Sequence, residues 1–209
     1  MAERRPIAAR ESGVMQRLAA WLIVRRASAN GISLLGMAAA LLAGLCFGVV
    51  PLIPHAAWVW WLLGAALVQL RLLANLLDGM VAIGRGAASA VGELFNEVPD
   101  RVSDTAVLVG LGWSAGQPAL GLAAALAAMS TAYIRAVGSA AGAPSDFRGP
   151  LAKQQRMALV TIAAVLCALL PAAWSAQLPR ALLWVILVGA LLTAARRLYG
   201  IASALNRLN

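Results

Sequence analysis

The chain has 209 residues, 62% of them hydrophobic and only 12% charged, with a mean hydropathy of +0.81. A soluble domain of this length could not hide so much apolar surface, so lipid must solvate much of it. The net charge of +9 comes from 17 Arg and Lys against 8 Asp and Glu; these basic residues flank apolar runs and no nucleic-acid motif accompanies them, which excludes nucleic acid and points to membrane orientation and anionic headgroups.

Residues 1–13 are polar and Arg-rich. Residues 14–27 mix apolar residues with Arg and suit an amphipathic helix lying on the membrane surface. Arg4, Arg5, Arg10, Arg17, Arg25 and Arg26 leave no long apolar core for a cleavable signal. Six apolar segments follow, predicted to span the bilayer. They run from Ile32 to Val50, Trp58 to Asp78, Asp100 to Trp113, Ala119 to Val137, Met157 to Leu170 and Ala181 to Ala195. The third and fifth are short, so their helices are expected to extend into polar flanks. Trp58, Trp60, Trp61, Trp113 and Trp174 sit near segment ends, as interface anchors do. The loops 51–57, 114–118 and 171–179 carry no Arg or Lys, whereas the N-terminus, the 79–101 loop, the 138–156 loop and the C-terminus are basic. Positive charge stays inside, so both termini are expected in the cytoplasm. The fold class is therefore all-α integral membrane, a six-transmembrane-helix bundle (residues 31–209) behind a cytoplasmic segment with an amphipathic surface helix (1–30). Cys46 and Cys167 lie within apolar runs as packing residues, and the lone His55 cannot build a zinc site.

Five of the eight acids fall within 27 residues: Asp78, Glu93, Glu97, Asp100 and Asp104. Ionisable groups at membrane depth are costly unless paired, solvated or metal-bound. Arg71, Asn75 and Asp78 share one face of span two at i, i+4 and i+7. Asn96, Asp100 and Asp104 share one face of span three at i, i+4 and i+8. Two facing rows of oxygen ligands suit a hard cation such as Mg²⁺ or Mn²⁺. The small residues Gly79, Ala82, Gly84, Gly86, Ala87, Ala88, Ser89 and Gly92 would let a nucleotide or pyrophosphate approach the backbone. Glu93 and Glu97 are also read as favouring a helix N-terminus. Spans one, four, five and six hold almost no polar residues, which argues against a transporter.

The stretch from Asn75 to Asp100, with Asp78, Gly79, Ala82, Gly92 and Asp100 in register, resembles the signature of the CDP-alcohol phosphotransferases. That family's pattern is D-x2-D-G-x2-A-R-x8-G-x3-D-x3-D, and every spacing is kept over 26 residues. Ala29-Asn30-Gly31-Ile32-Ser33 resembles the family's P-N-x-I-T/S opening. Tyr133, Arg135, Lys153 and Arg156 resemble its basic acceptor-side wall. The departures are Asn75 and Asn96 for two aspartates and Ile83 for the arginine. An asparagine can offer a metal its carbonyl oxygen, without charge. Asp104, Glu93 or Glu97 is expected to restore negative charge, and Arg85 to replace the arginine. A second register takes Asp100 and Asp104 as the last pair, at the cost of four extra residues and the glycine.

The resemblance implies a homodimer with its site on the cytoplasmic side of the cell membrane, transferring a phosphatidyl group from CDP-diacylglycerol to an alcohol with release of CMP. Asp78, Asn75, Asn96, Asp100 and Asp104 would be metal ligands for Mg²⁺ or Mn²⁺, and Asp100 the general base. Gly79, Ala82 and Gly92 would line the CMP pocket. Arg71, Arg85, Arg135, Lys153 and Arg156 would hold substrate phosphates. Glycerol 3-phosphate is the default acceptor. The Gly92-Glu93-Leu94-Phe95 run is similar to members using CDP-choline or CDP-ethanolamine with diacylglycerol. The two asparagines also keep open a catalytically lapsed member that binds lipid or a partner.

Overall fold

The computed structural model describes residues 12–86, 90–144 and 149–207. The Arg-rich stretch 1–11, the small-residue positions Ala87, Ala88 and Ser89, and the Glu93 side chain lie outside what is described. The described residues form seven α-helices and no strand: α1 (Gly13–Val24), α2 (Ala29–Val49), α3 (Ala57–Gly84), α4 (Ala90–Ser114), α5 (Pro118–Ala140), α6 (Lys153–Leu169) and α7 (Ala172–Leu205). Two short 3₁₀ turns, Val50–Leu52 and Pro54–Ala56, join α2 to α3. Four described stretches are long and apolar enough to cross a membrane: Ala29–Leu52, Pro54–Gly84, Pro118–Ala140 and Ala173–Leu205. The charged residues of α4 and the 17-residue length of α6 distinguish those two helices from the four. Both extend into their polar flanks, as the short third and fifth apolar segments lead one to expect.

Helix α2 packs between α3 and α4, α5 packs on α4 and α7, and α6 lies against α3 and α7. Small residues set the closest crossings. A Cβ on Gly44 would strike the backbone of Ala106, and one on Gly110 would strike the backbone of Gly44. Such contacts let helix backbones meet without a hydrophobic driving force between lipid-solvated surfaces. The same logic holds at Gly112 and Gly121, where α4 meets α5.

One half of the bundle is apolar. Phe47 and Trp61 are both fully buried there, their ring centroids 5.4 Å apart. This corrects the interface role expected for Trp61, whereas Trp58, Trp113 and Trp174 do lie exposed on the surface. Cys46 and Cys167 are buried, as expected of packing residues. The stretch expected as the 171–179 loop is instead the start of α7, which continues through Pro179. Proline has no N–H to give to Ser175, four residues back, and the Cys167 thiol donates to that carbonyl instead, at 3.7 Å.

The 79–101 loop is likewise mostly helix. Helix α3 runs 28 residues to Gly84, and Gly86 turns the chain at φ +61°. The polar end of α3 and the first half of α4 therefore lie side by side across α2, which puts the acidic rows inside the bundle.

Candidate active site

Helix α3 delivers Arg71, Asn75 and Asp78, and α4 delivers Asn96, Asp100, Ser103 and Asp104. Arg71, Asp78, Asp100, Ser103 and Asp104 are buried, and Asn75 and Asn96 are half-buried. Their spacing places each row on one helical face, and the faces meet. Asn75 Nδ2 donates to Asn96 Oδ1 at 3.1 Å and to Asp100 Oδ1 at 3.0 Å. Ser33 on α2 donates its hydroxyl to Asp78 Oδ2 at 2.5 Å. That contact ties the opening motif to the acidic one.

Two pockets flank this junction. The first is small, with a cavity volume of about 10 Å³, and is lined by Ser33, Asn75, Asp78, Asn96 and Asp100 among others. The second is larger, about 160 Å³, and is bordered by the cations Arg101, Arg135, Lys153, Arg156 and Arg197. Two carboxylates, Glu97 and Asp100, border it too. Asn75 and Asp100 belong to both pockets and form the wall between them.

Cations saturate much of the acidic row. Arg71 Nη2 pairs with Asp100 Oδ1 at 2.7 Å and lies 3.5 Å from Asp104 Oδ1. Lys153 Nζ contacts Asp100 Oδ2 and donates to Asn75 Oδ1 at 3.0 Å. Arg156 Nη2 pairs with Asp104 Oδ2 at 3.0 Å, and its Nη1 donates to the Leu151 carbonyl at 2.8 Å. Arg135 Nη2 and Arg101 Nη2 hold Glu97, at 2.6 and 3.2 Å. A charge buried in so apolar a bundle persists only when paired in this way.

The donor set offers oxygen positions of the kind a hard cation takes. Asp78 Oδ1 is buried and has no hydrogen-bond partner among the described residues; an orphaned carboxylate oxygen is a natural ligand position. The side chains of Asn75, Asn96 and Asp100 line the same pocket. No group of three or more His, Cys, Asp or Glu converges into a metal cage among the described residues. Asp100 already faces Arg71 and Lys153, and Asn75 faces Lys153.

Several sequence expectations need correction. Asp104 does not line the oxygen pocket, because Arg71 and Arg156 bind it one turn further along α4. Its expected roles as metal ligand and as last member of a shifted motif lose their geometric support. Glu97 likewise turns to Arg101 and Arg135 and lines only the basic pocket. Arg85 does not replace the missing arginine: it donates to the Ala27 and Arg26 carbonyls, at 2.7 and 3.3 Å, and clamps the turn between α1 and α2. Tyr133 is 69% exposed and stands away from the wall. Gly79, Ala82 and Gly92 are half-buried on α3 and α4 and do not line either pocket. Sequence reasoning missed Arg101, Arg197 and Ser103. The first two carry the same positive-inside signature as Lys153, and Ser103 lies one turn from Pro99 and two turns from Asn96 on the motif face.

No family model matches the chain. It is 29% identical over 182 residues to a phosphatidylinositol phosphate synthase of Mycolicibacterium smegmatis, covering 83% of this chain and 77% of that one. It is 28% identical over 195 residues to the phosphatidylinositol phosphate synthase of Streptomyces avermitilis, covering 88% and 76%. Among solved structures, it matches the Mycobacterium tuberculosis phosphatidylinositol phosphate synthase in complex with manganese and citrate. That match has a TM-score of 0.76 at 23% identity and covers 91% of this chain and 90% of that one. The same M. tuberculosis protein with CDP-diacylglycerol bound gives a TM-score of 0.75, over 92% and 96%.

Proposed function

We propose that the chain is a CDP-alcohol phosphotransferase, one that transfers a phosphatidyl group from CDP-diacylglycerol to a phosphorylated alcohol and releases CMP. The observation that carries this reading is the shared wall. Asn75 and Asp100 separate an oxygen-lined pocket from a cation-lined one, so a donor phosphorus and an acceptor hydroxyl brought to that wall from opposite sides would meet there. Proximity of this kind supplies much of the rate of a phosphoryl transfer.

Members of the family use Mg²⁺ or Mn²⁺. In this chain Asp78 would hold the ion, with Asn96 and Asn75 as neutral oxygen donors. When bound, the ion supplies Lewis acidity and neutralises charge developing on the leaving CMP. Arg71 orients Asp100 through their ion pair. Asp100 then faces the acceptor hydroxyl and takes its proton as the new phosphate ester bond forms. Arg135, Lys153 and Arg156, joined by Arg101 and Arg197, give the second pocket its affinity for a phosphate group. Gly79, Ala82 and Gly92 leave room beside α3 and α4 for the CMP moiety.

The named relatives favour inositol phosphate over glycerol 3-phosphate as the acceptor. A reversed donor and acceptor, with CDP-choline and diacylglycerol, has no observation in its favour. Helices α2 to α7 make up the six-span unit, residues 31–209, with α4 and α6 spanning despite their polar ends. Helix α1, within the cytoplasmic segment 1–30, lies on the surface of the bacterial inner membrane, and the chain works as a homodimer.

The test is CMP release by the purified protein given CDP-diacylglycerol, Mn²⁺ and either inositol phosphate or glycerol 3-phosphate. Release with inositol phosphate that disappears in Asp100→Asn is the expected result; full release in that variant would remove Asp100 as the base. A second reading has specific support in the closed hydrogen bonding of Asn75 and Asn96, which suits a catalytically lapsed lipid-binding member. Tight CDP-diacylglycerol binding without CMP release under any acceptor would favour it.

A further inference from the structure

The polar cluster contains one group that the proposed transfer chemistry uses only in part. Lys153 is the first residue of α6, yet its ammonium does not reach out to solvent. It sits between Asn75 Oδ1 and Asp100 Oδ2, one oxygen from each of the two facing rows. We propose that this ammonium is a resident cation of the cluster: it holds the position a second divalent ion would need, so the chain binds one divalent ion, on the Asp78 side. The inference rests on reading the oxygen cluster as the metal centre.

Three observations support it independently. The first is occupancy. Among the described residues the only carboxylate shared by both pockets is Asp100, and its two oxygens already face Arg71 and Lys153. The second is the identity of residue 75. Its amide accepts from Lys153 through Oδ1 and donates through Nδ2 to Asn96 Oδ1 and Asp100 Oδ1. An aspartate there would have no donor to offer those two oxygens and would set a second carboxylate against Asp100 and the Asn96 amide oxygen. Asparagine at 75 and lysine at 153 are thus parts of one device: the amide relays between an ammonium and a carboxylate. The third is charge. Among the described residues the three buried carboxylates Asp78, Asp100 and Asp104 are matched in number by the cations Arg71, Lys153 and Arg156, which pair with Asp100 and Asp104. One divalent ion arriving with a nucleoside diphosphate ester keeps that balance, because the two phosphates carry the opposing charge. A second ion would leave an uncompensated double positive charge beside buried arginines.

The experiment counts Mn²⁺ on the purified full-length chain by titration and electron paramagnetic resonance. Wild type is expected to bind one ion per chain, with the spectrum of an isolated ion. Asn75→Asp should remain at one, because the ammonium pairs with the added carboxylate. Asn75→Asp combined with Lys153→Met should bind two, with the broadened spectrum of a coupled pair. Two ions on wild type or on Asn75→Asp alone would overturn the proposal, and those two counts decide it even where the double variant fails to fold. No ion on wild type would instead remove the metal from the proposed function. The lysine assignment is then judged by whether the double variant takes up an ion that Asn75→Asp does not.

Discussion

Asp78 and Asp104 lie on neighbouring helices and are equally hidden, each 4% exposed, but their surroundings differ in kind. Asp104 is held by two guanidiniums, from Arg71 and Arg156. Asp78 has a single side-chain partner, the neutral Ser33, and no ion pair among the described residues; each carboxylate keeps one oxygen without a hydrogen bond, but that of Asp104 lies 3.5 Å from the Arg71 guanidinium. Burial alone therefore says nothing about role. A carboxylate whose charge is cancelled by its neighbours belongs to the framework. One left short of partners is a place for a ligand.

The sharpest way to break this contrast is on the framework side. Arg156→Met strands Asp104 and should cost about 3–5 kcal/mol, the penalty of an uncompensated buried charge. Adding Asp104→Leu should recover much of that loss. Thermal unfolding in detergent reads both, and equal stability of the single variant and wild type would deny Asp104 its structural role. On the ligand side, Asp78→Asn should lower CMP release by at least about a hundredfold, as loss of a charge-stabilising group does. Its unfolding temperature should stay close to wild type, because an amide oxygen can still accept from Ser33. Arg135→Gln should raise the KM for a phosphorylated acceptor by about tenfold, the value of one charge-assisted hydrogen bond, with the KM for CDP-diacylglycerol unmoved. The smallest effect is expected at Arg85→Ala, which removes a clamp of the α1–α2 turn worth less than about 1 kcal/mol. Protease sensitivity near residue 27 should rise while transfer continues.

The motif faces were legible because helix period is rigid: Asn75 to Asp78 and Asn96 to Asp100 must each point one way once both segments are helical. The partners across the gap were not legible, because spacing along one helix is silent about what another helix brings. Asp104 reads as a ligand in a row of oxygens until α6 presents Arg156. Arg85 reads as a phosphate binder until the turn after α1 offers its carbonyls. Trp61 misleads for a similar reason. Tryptophans cluster near span ends both as surface anchors and as core fillers, and only the position of Phe47 on α2 decides between them. The 171–179 stretch lacks charge and contains proline, which suggests a loop. A helix passes through, and a thiol on α6 donates to the carbonyl that the proline leaves without its N–H.

The crossing of α2 and α4 at Gly44 and Gly110 carries a mechanical consequence. Gly110 lies ten residues, about 15 Å of helix rise, from Asp100. With backbones already touching there, one added methyl group would act at a fulcrum, levering the far arm of α4 away from α3. A silent-looking Gly110→Ala substitution is therefore expected to shift the Asp100 end of α4 and lower CMP release without touching the polar cluster itself.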